Sequence, residues 1–139
     1  MKPRVFLDID GVLNHSVTYT VFDYPRLFKR QCLLLDEIYK ATDCEIVLVT
    51  NWGYIIGVAA TAQHLAYAGI GAPVIGKTAL CGSRGAGVRE YPHEAYVILD
   101  DLPDYYADQV LLQTDPNVGL TPELVQLAIR ILQSDHALR

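Results

Sequence analysis

Short apolar runs alternate along the chain with stretches whose apolar positions recur every three or four residues, which predicts strands and helices in turn. Residues 5–9 are apolar except for Asp8 and predict a first strand. Residues 45–49, 73–75, 96–99 and 110–112 predict four more. Residues 27–40 predict a helix, because Leu27, Leu34 or Leu35, and Ile38 fall on one face. Residues 54–68 predict another, stopped by Gly69 and Gly71, and Pro103 is read as opening a short one. Thr121-Pro122-Glu123 has the form of a helix start, and that helix should run to about Ser134 with Leu124, Leu127 or Ala128, and Ile131 inward. Residues 11–25, rich in Gly, Asn, Thr, Tyr and Pro, read as a loop or small hairpin. In residues 76–95 glycines and Pro92 interrupt any period.

Strands alternating with helical segments predict an α/β fold, a mostly parallel sheet with helices on both faces. At 139 residues the chain suits one domain with a single core. Hydrophobic residues make up 51% and charged residues 19%, which excludes a disordered chain. The net charge of −5 argues against a basic surface that grips nucleic acid non-specifically, but leaves room for a small basic mouth taking a nucleic-acid end. Cys32, Cys44 and Cys81 are too few and too scattered for a disulfide framework and are read as small buried hydrophobes in a reducing compartment. Asp8 and Asp10 break the N-terminal apolar run, and nowhere do about 18 uncharged apolar residues follow one another, so a soluble, cytoplasmic protein without membrane partners is expected.

The polar residues collect where the apolar strands stop. Asp8 and Asp10 close the first strand, Thr50 and Asn51 the second, and Asp100 and Asp101 the fourth, while Lys77 lies just past the third. In open parallel sheets the carboxyl ends of the strands are where ligands bind. Carboxylates gathered there repel one another unless a divalent cation lies between them, and hard oxygen donors suit Mg²⁺. Asp8 and Asp10, two positions apart on extended chain, point the same way, so one can attack phosphorus while the other serves the departing or entering oxygen. Gly11 allows a sharp turn that brings backbone N–H groups near a phosphate. Thr50 can donate to a phosphoryl oxygen, and Lys77 can neutralise charge on the transferring group. Each feature alone is ordinary: an isolated Asp-x-Asp is usually a turn, and Asp-Asp-x-Pro is a respectable helix cap. Their shared position is what distinguishes them.

Phe6-Leu7-Asp8-Ile9-Asp10-Gly11-Val12-Leu13-Asn14 resembles the first motif of the haloacid dehalogenase (HAD) superfamily. Ile46-Val47-Leu48-Val49-Thr50, followed by Asn51, is similar to its second motif, and Tyr96-Val97-Ile98-Leu99-Asp100-Asp101 to its fourth. More narrowly, Asn51-Trp52, Arg84-Gly85 and Gly119-Leu120-Thr121 resemble strings in the small capless HAD domains associated with Swiss-army-knife RNA repair proteins. The resemblance implies a three-layer Rossmann-like sheet without a large cap domain, and a flap or small cap insertion at about residues 14–25. It implies a Mg²⁺-dependent phosphatase in which Asp8 forms an aspartyl-phosphate and Asp10 is general acid and then base. Thr50 would hold phosphoryl oxygens, with Gly11, Asn51 and Arg84 as further substrate contacts. The metal would take Asp8, the backbone carbonyl of Asp10, and Asp100, Asp101 or both. The third motif needs a cation before the fourth strand. Lys77 suits it best, with Arg84 the rival and Arg89 a poorer third.

A capless site would admit a bulky phosphorylated substrate, and polynucleotide end-phosphatases, which share this logic, make a nucleic-acid end a candidate. His15, Tyr19, Tyr24 and Trp52 could line the mouth and stack on a base, or simply pack the flap. The alternative is a non-hydrolytic phosphoacceptor or phosphate-binding module, as in response-regulator receivers. There, however, the acidic pair comes on the first strand and the accepting Asp on the third, the reverse of the order here. A metal-dependent sugar-nucleotide transferase would need a longer chain.

Overall fold

The computed structural model describes residues 1–15, 27–80 and 82–137. Five strands form one parallel sheet: β1 (Arg4–Leu7), β2 (Glu45–Leu48), β3 (Val74–Lys77), β4 (Tyr96–Asp100) and β5 (Leu111–Gln113), in the order β3-β2-β1-β4-β5. The helices are α1 (Lys29–Thr42), α2 (Trp52–Ile55), α3 (Val58–Tyr67), α4 (Arg84–Glu90) and α5 (Pro122–Ala137). The α/β Rossmann-like fold expected from the sequence is present, and among the described residues the sheet carries no cap domain. The flap expected at residues 14–25 falls mostly on residues outside the described ones, as do Tyr19, Tyr24 and Cys81. Among the described residues no helix is long and apolar enough to cross a membrane.

Alternation along β1 explains the layers. Val5 and Leu7 face a large cluster built with Cys32, Leu35 and Ile38 of α1, Leu65 of α3, and Val125, Ala128 and Leu132 of α5. Phe6 faces the opposite way, toward a smaller cluster of Val47, Val49, Val88 and Ile98. Phe6 meets Tyr91 and Tyr96 edge-on there, with ring centroids 6.0 and 5.8 Å apart. Strands β1, β2 and β4 are buried on both faces, which is why they read as unbroken apolar runs.

Several elements depart from the sequence reading. The helix expected over residues 54–68 is split, because Gly57 adopts φ 90° and ends α2 before α3 begins. Strand β3 extends through Gly76 to Lys77, so Lys77 is the last strand residue rather than lying beyond it. No helix follows Pro103. Side-chain bonds hold that segment irregular: Gln109 accepts from the Tyr106 N–H and donates to the Gly85 carbonyl, and Asp104 accepts from the Arg84 N–H. Residues 76–95, without a readable period, contain α4, capped by Ser83 Oγ accepting from the Ala86 N–H at 3.0 Å. On α5, among the described side chains, Val125, Ala128 and Leu132 are fully buried, and Leu124, Leu127 and Ile131 are partly buried and pack against the same core, in line with the inward face expected there.

Candidate active site

The chain runs outward from β1 to β2 and β3, then returns to the other side of β1 for β4 and β5. The switch point therefore lies between β1 and β4, where an open α/β sheet leaves a crevice at its carboxyl edge. Leu7 pairs with Leu99, and the Asp8 N–H donates to the Leu99 carbonyl at 2.9 Å, so Asp8 and Asp100 are the next residues along adjacent strands. Both follow the parity of Phe6 and Ile98 and turn to the α4 face. One carboxylate oxygen from each of Asp8, Asp100 and Asp101 lies within 4.8 Å of the others. Asp8 and Asp100 are buried, and Asp101 is partly exposed.

Arg84, at the start of α4, meets this group. Its Nη1 donates to Asp100 Oδ2 at 2.7 Å and lies 3.4 Å from Asp8 Oδ1. The Tyr105 hydroxyl donates to the same Asp100 oxygen, and the Leu102 N–H donates to Asp100 Oδ1 at 3.0 Å. Burial, followed by the charge of Asp100, pushes the Asp8 carboxyl well above the usual carboxylate range, and Arg84 opposes that only in part. Burial also raises Asp101. Burial works to lower the Arg84 pKa, but the charges of Asp8 and Asp100 outweigh it and hold the guanidinium protonated. Burial and Asp100 together raise Tyr105, so its hydroxyl remains a donor.

Lys77 is placed elsewhere. Its Nζ donates to the Gly53 carbonyl at 3.3 Å and lies 4.2 Å from the centre of the Tyr54 ring. Among the described residues no ion pair joins it to the carboxylates. Arg89 pairs instead with the exposed Asp108. Of the three cations considered from the sequence, only Arg84 is brought to Asp8.

Asp10 is not one of the three converging acids. Its Oδ1 accepts from Asn14 Nδ2 at 3.0 Å and its Oδ2 from Trp52 Nε1 at 3.3 Å. Gly11 does not offer its N–H to the site, since that group donates to Asn14 Oδ1 at 2.9 Å. What Gly11 supplies is room: it has φ 83°, and a Cβ there would lie 2.6 Å from Asp101 Oδ2. Thr50 is buried, and its Oγ1 accepts from the Trp52 N–H at 3.3 Å, leaving its own proton to donate. Asn51 is exposed and, with Tyr54, Thr78, Leu80, Ser83 and Arg84, lines a cavity of about 190 Å³. His15 packs edge-on against Phe28, with ring centroids 4.5 Å apart.

Tyr105 was not legible in the sequence as a site residue. It sits in the segment that looked like a helix, and only the fold carries its hydroxyl to Asp100. Thr114, whose Oγ1 donates to the Gly11 carbonyl at 2.7 Å, carries no local signal either, because its partner lies 103 positions away in the chain. Asn14 and Trp52 stood within recognisable strings, but their partnership with Asp10 spans 42 positions on the Trp52 side.

Three acids and one arginine at a β1/β4 switch point form an arrangement suited to phosphate chemistry. Comparison with curated proteins gave no match. A family model described as "HAD domain in Swiss Army Knife RNA repair proteins" matches residues 4–125, from the first residue of β1 into α5. That match covers every strand and every acid of the site, and the chain belongs to this family of HAD domains, whose functions are of the phosphoryl-transfer and hydrolase type.

Proposed function

We propose that this domain is a Mg²⁺-dependent phosphomonoester hydrolase that works through an aspartyl-phosphate on Asp8, and that its substrates are phosphorylated nucleic-acid ends or comparably bulky phosphomonoesters. The observation that carries the reading is the convergence of Asp8, Asp100 and Asp101 with Arg84 against two of them. The donor set fits a small hard cation: three carboxylates converge, and burial makes charge on Asp8 unfavourable unless a cation offsets it. Asp8 and Asp101 would hold the ion, with the Asp10 backbone carbonyl. Asp100 already accepts from Arg84, Tyr105 and Leu102, which leaves it less capacity for direct ligation. Bound Mg²⁺ would offset the negative charge that the acids and the phosphoryl oxygens bring together.

The chain's own groups account for both halves of turnover. An Asp8 oxygen attacks phosphorus, the bond to the leaving oxygen breaks, and Asp10 gives that oxygen its proton. Water then attacks phosphorus, Asp10 takes its proton, and inorganic phosphate leaves as the Asp8 carboxylate is restored. Arg84 faces charge developing beside Asp8, and Thr50 donates to a phosphoryl oxygen. Asp10, held on both oxygens by Asn14 and Trp52, supplies a fixed second carboxylate through which a proton can pass, which supports the hydrolytic reading. Among the described residues no cap domain covers this edge, and together with the cavity beside Arg84 that supports a substrate larger than its phosphate.

The test is phosphate release from p-nitrophenyl phosphate and from 3′- and 5′-phosphorylated oligonucleotides, with Mg²⁺ or with chelator. Release that requires Mg²⁺ and vanishes in Asp8→Asn is expected. No release from any of these substrates overturns the reading, and a phosphoenzyme that forms without turnover replaces it with the phosphoacceptor.

A further inference from the structure

We infer that Trp52 and Asn14 are positioning residues that fix the acid-base carboxylate of Asp10 for substrates with poor leaving groups. The inference rests on the reading of Asp10 as proton donor and acceptor and extends it to two residues outside the reacting groups.

The geometry is a two-sided clamp. Asn14 Nδ2 donates to one oxygen of Asp10 at 3.0 Å and Trp52 Nε1 to the other at 3.3 Å. With a donor on each oxygen, the carboxylate cannot turn about its Cβ–Cγ bond without losing a hydrogen bond. Both donors are themselves immobilised. Asn14 is 2% exposed, and its remaining amide atom, Oδ1, accepts from the Gly11 N–H at 2.9 Å. Trp52 is 7% exposed and sits edge-on to His64, with ring centroids 5.9 Å apart.

Trp52 also reaches the second functional group on this edge. Its backbone N–H donates to Thr50 Oγ1, so one residue orients both the acid-base carboxylate and the hydroxyl meant for the phosphoryl group. Asn14 arrives from the turn after β1 and Trp52 from the start of α2, so the clamp is closed by tertiary structure. A side chain needed only to fill the core at position 52 would not have to carry an N–H toward a carboxylate.

The consequence is selective. A departing alkoxide, such as a sugar oxygen, needs a proton as the P–O bond breaks, whereas p-nitrophenolate leaves without one. A loosened Asp10 should therefore cost the alkyl ester far more than the aryl ester in kcat/KM, which reports the first chemical step. For Trp52→Phe we expect the kcat/KM ratio of a nucleoside 3′-monophosphate to p-nitrophenyl phosphate to fall about tenfold or more, within the range general acid catalysis contributes. Asn14→Asp keeps the acceptor for the Gly11 N–H but replaces the donor facing Asp10, and should shift the ratio in the same direction. Asp10→Asn should shift it furthest.

Should Trp52→Phe fail to fold by circular dichroism, Asn14→Asp decides alone. An unchanged ratio in folded variants, with both substrates losing equally, overturns the clamp while leaving the phosphatase reading intact. If the wild-type protein releases phosphate from neither ester, the phosphatase reading falls and the clamp with it.

Discussion

Arg84 lies with its Nη1 3.4 Å from Asp8 Oδ1, although 76 positions of chain separate the two residues. The contact exists because α4 packs on the sheet face toward which Asp8 points, and Asp100 anchors the guanidinium from the neighbouring strand at 2.7 Å. It makes Arg84, rather than Lys77, the cation expected to face a phosphoryl group on Asp8. Arg84→Ala should lower phosphatase turnover by about 100-fold or more, the scale of losing one electrostatic contact to the developing charge. Lys77→Ala, whose ammonium is turned to Gly53 and Tyr54, should lower it by less than about threefold, as expected for a group outside the reacting shell. Steady-state kinetics on p-nitrophenyl phosphate compares the two.

The setting of Asp8 also predicts how stability responds to pH and metal. In chelated protein its folded pKa is raised above the unfolded value, first by burial and then by Asp100. The folded state thus binds a proton that the unfolded state has already released at neutral pH. The stability tied to that proton is present in acid and is lost as pH rises toward the folded pKa. Chelated protein should therefore show a larger gain in Tm on adding Mg²⁺ near about pH 8 than near about pH 5, because the ion replaces the proton. Asp8→Asn, which carries no charge, should melt higher than wild type in chelator at the higher pH and gain little from Mg²⁺. Thermal melts of both proteins under the four conditions check this.

Gly11 is the tightest point of the site. A methyl group there would lie 2.6 Å from Asp101 Oδ2, on backbone with φ 83°. Gly11→Ala should cost about 1–2 kcal/mol from the left-handed backbone alone. It should cost activity as well, since Asp101 has to move to admit the methyl. A drop in Tm together with weaker Mg²⁺ binding by calorimetry is the expected result. A drop in Tm with unchanged metal affinity would show that Asp101 is not a ligand.

The two described cysteines give a prediction independent of the site. Burial pushes both Cys32 and Cys44 up to about 11. Their contribution to stability is complete below the ordinary thiol range and is lost as pH rises from there toward about 11. In native protein both should resist a thiol reagent that labels them readily in denaturant. Cys44→Ala should flatten the alkaline fall in stability seen in urea titrations.

The acids were legible because their placement is local. An apolar run followed by Asp8 and Asp10, and another followed by Asp100 and Asp101, marks strand ends, and parallel connection puts those ends on one edge of the sheet. Thr50 follows from the same logic. The stretch around α4 was opaque because its glycines look like breakers. Gly85 and Gly87 instead sit inside the helix, where a Cβ would press on Tyr105 Cα at 3.0 Å and on the Ala79 carbonyl at 2.7 Å. Close packing against distant residues leaves no mark in a local pattern.

The sequence by itself determined the alternation of strands and helices and the gathering of carboxylates at one edge, since both depend on side-chain period and on turns within a few residues. Tertiary structure decided which cation meets them. Lys77 ends β3, two strands from β1, and strands about 4.8 Å apart put it roughly 10 Å away across the sheet. Arg84 starts a helix laid over the face that Asp8 and Asp100 share. Sheet order and helix side set that distance, and neither can be read from spacing along the chain.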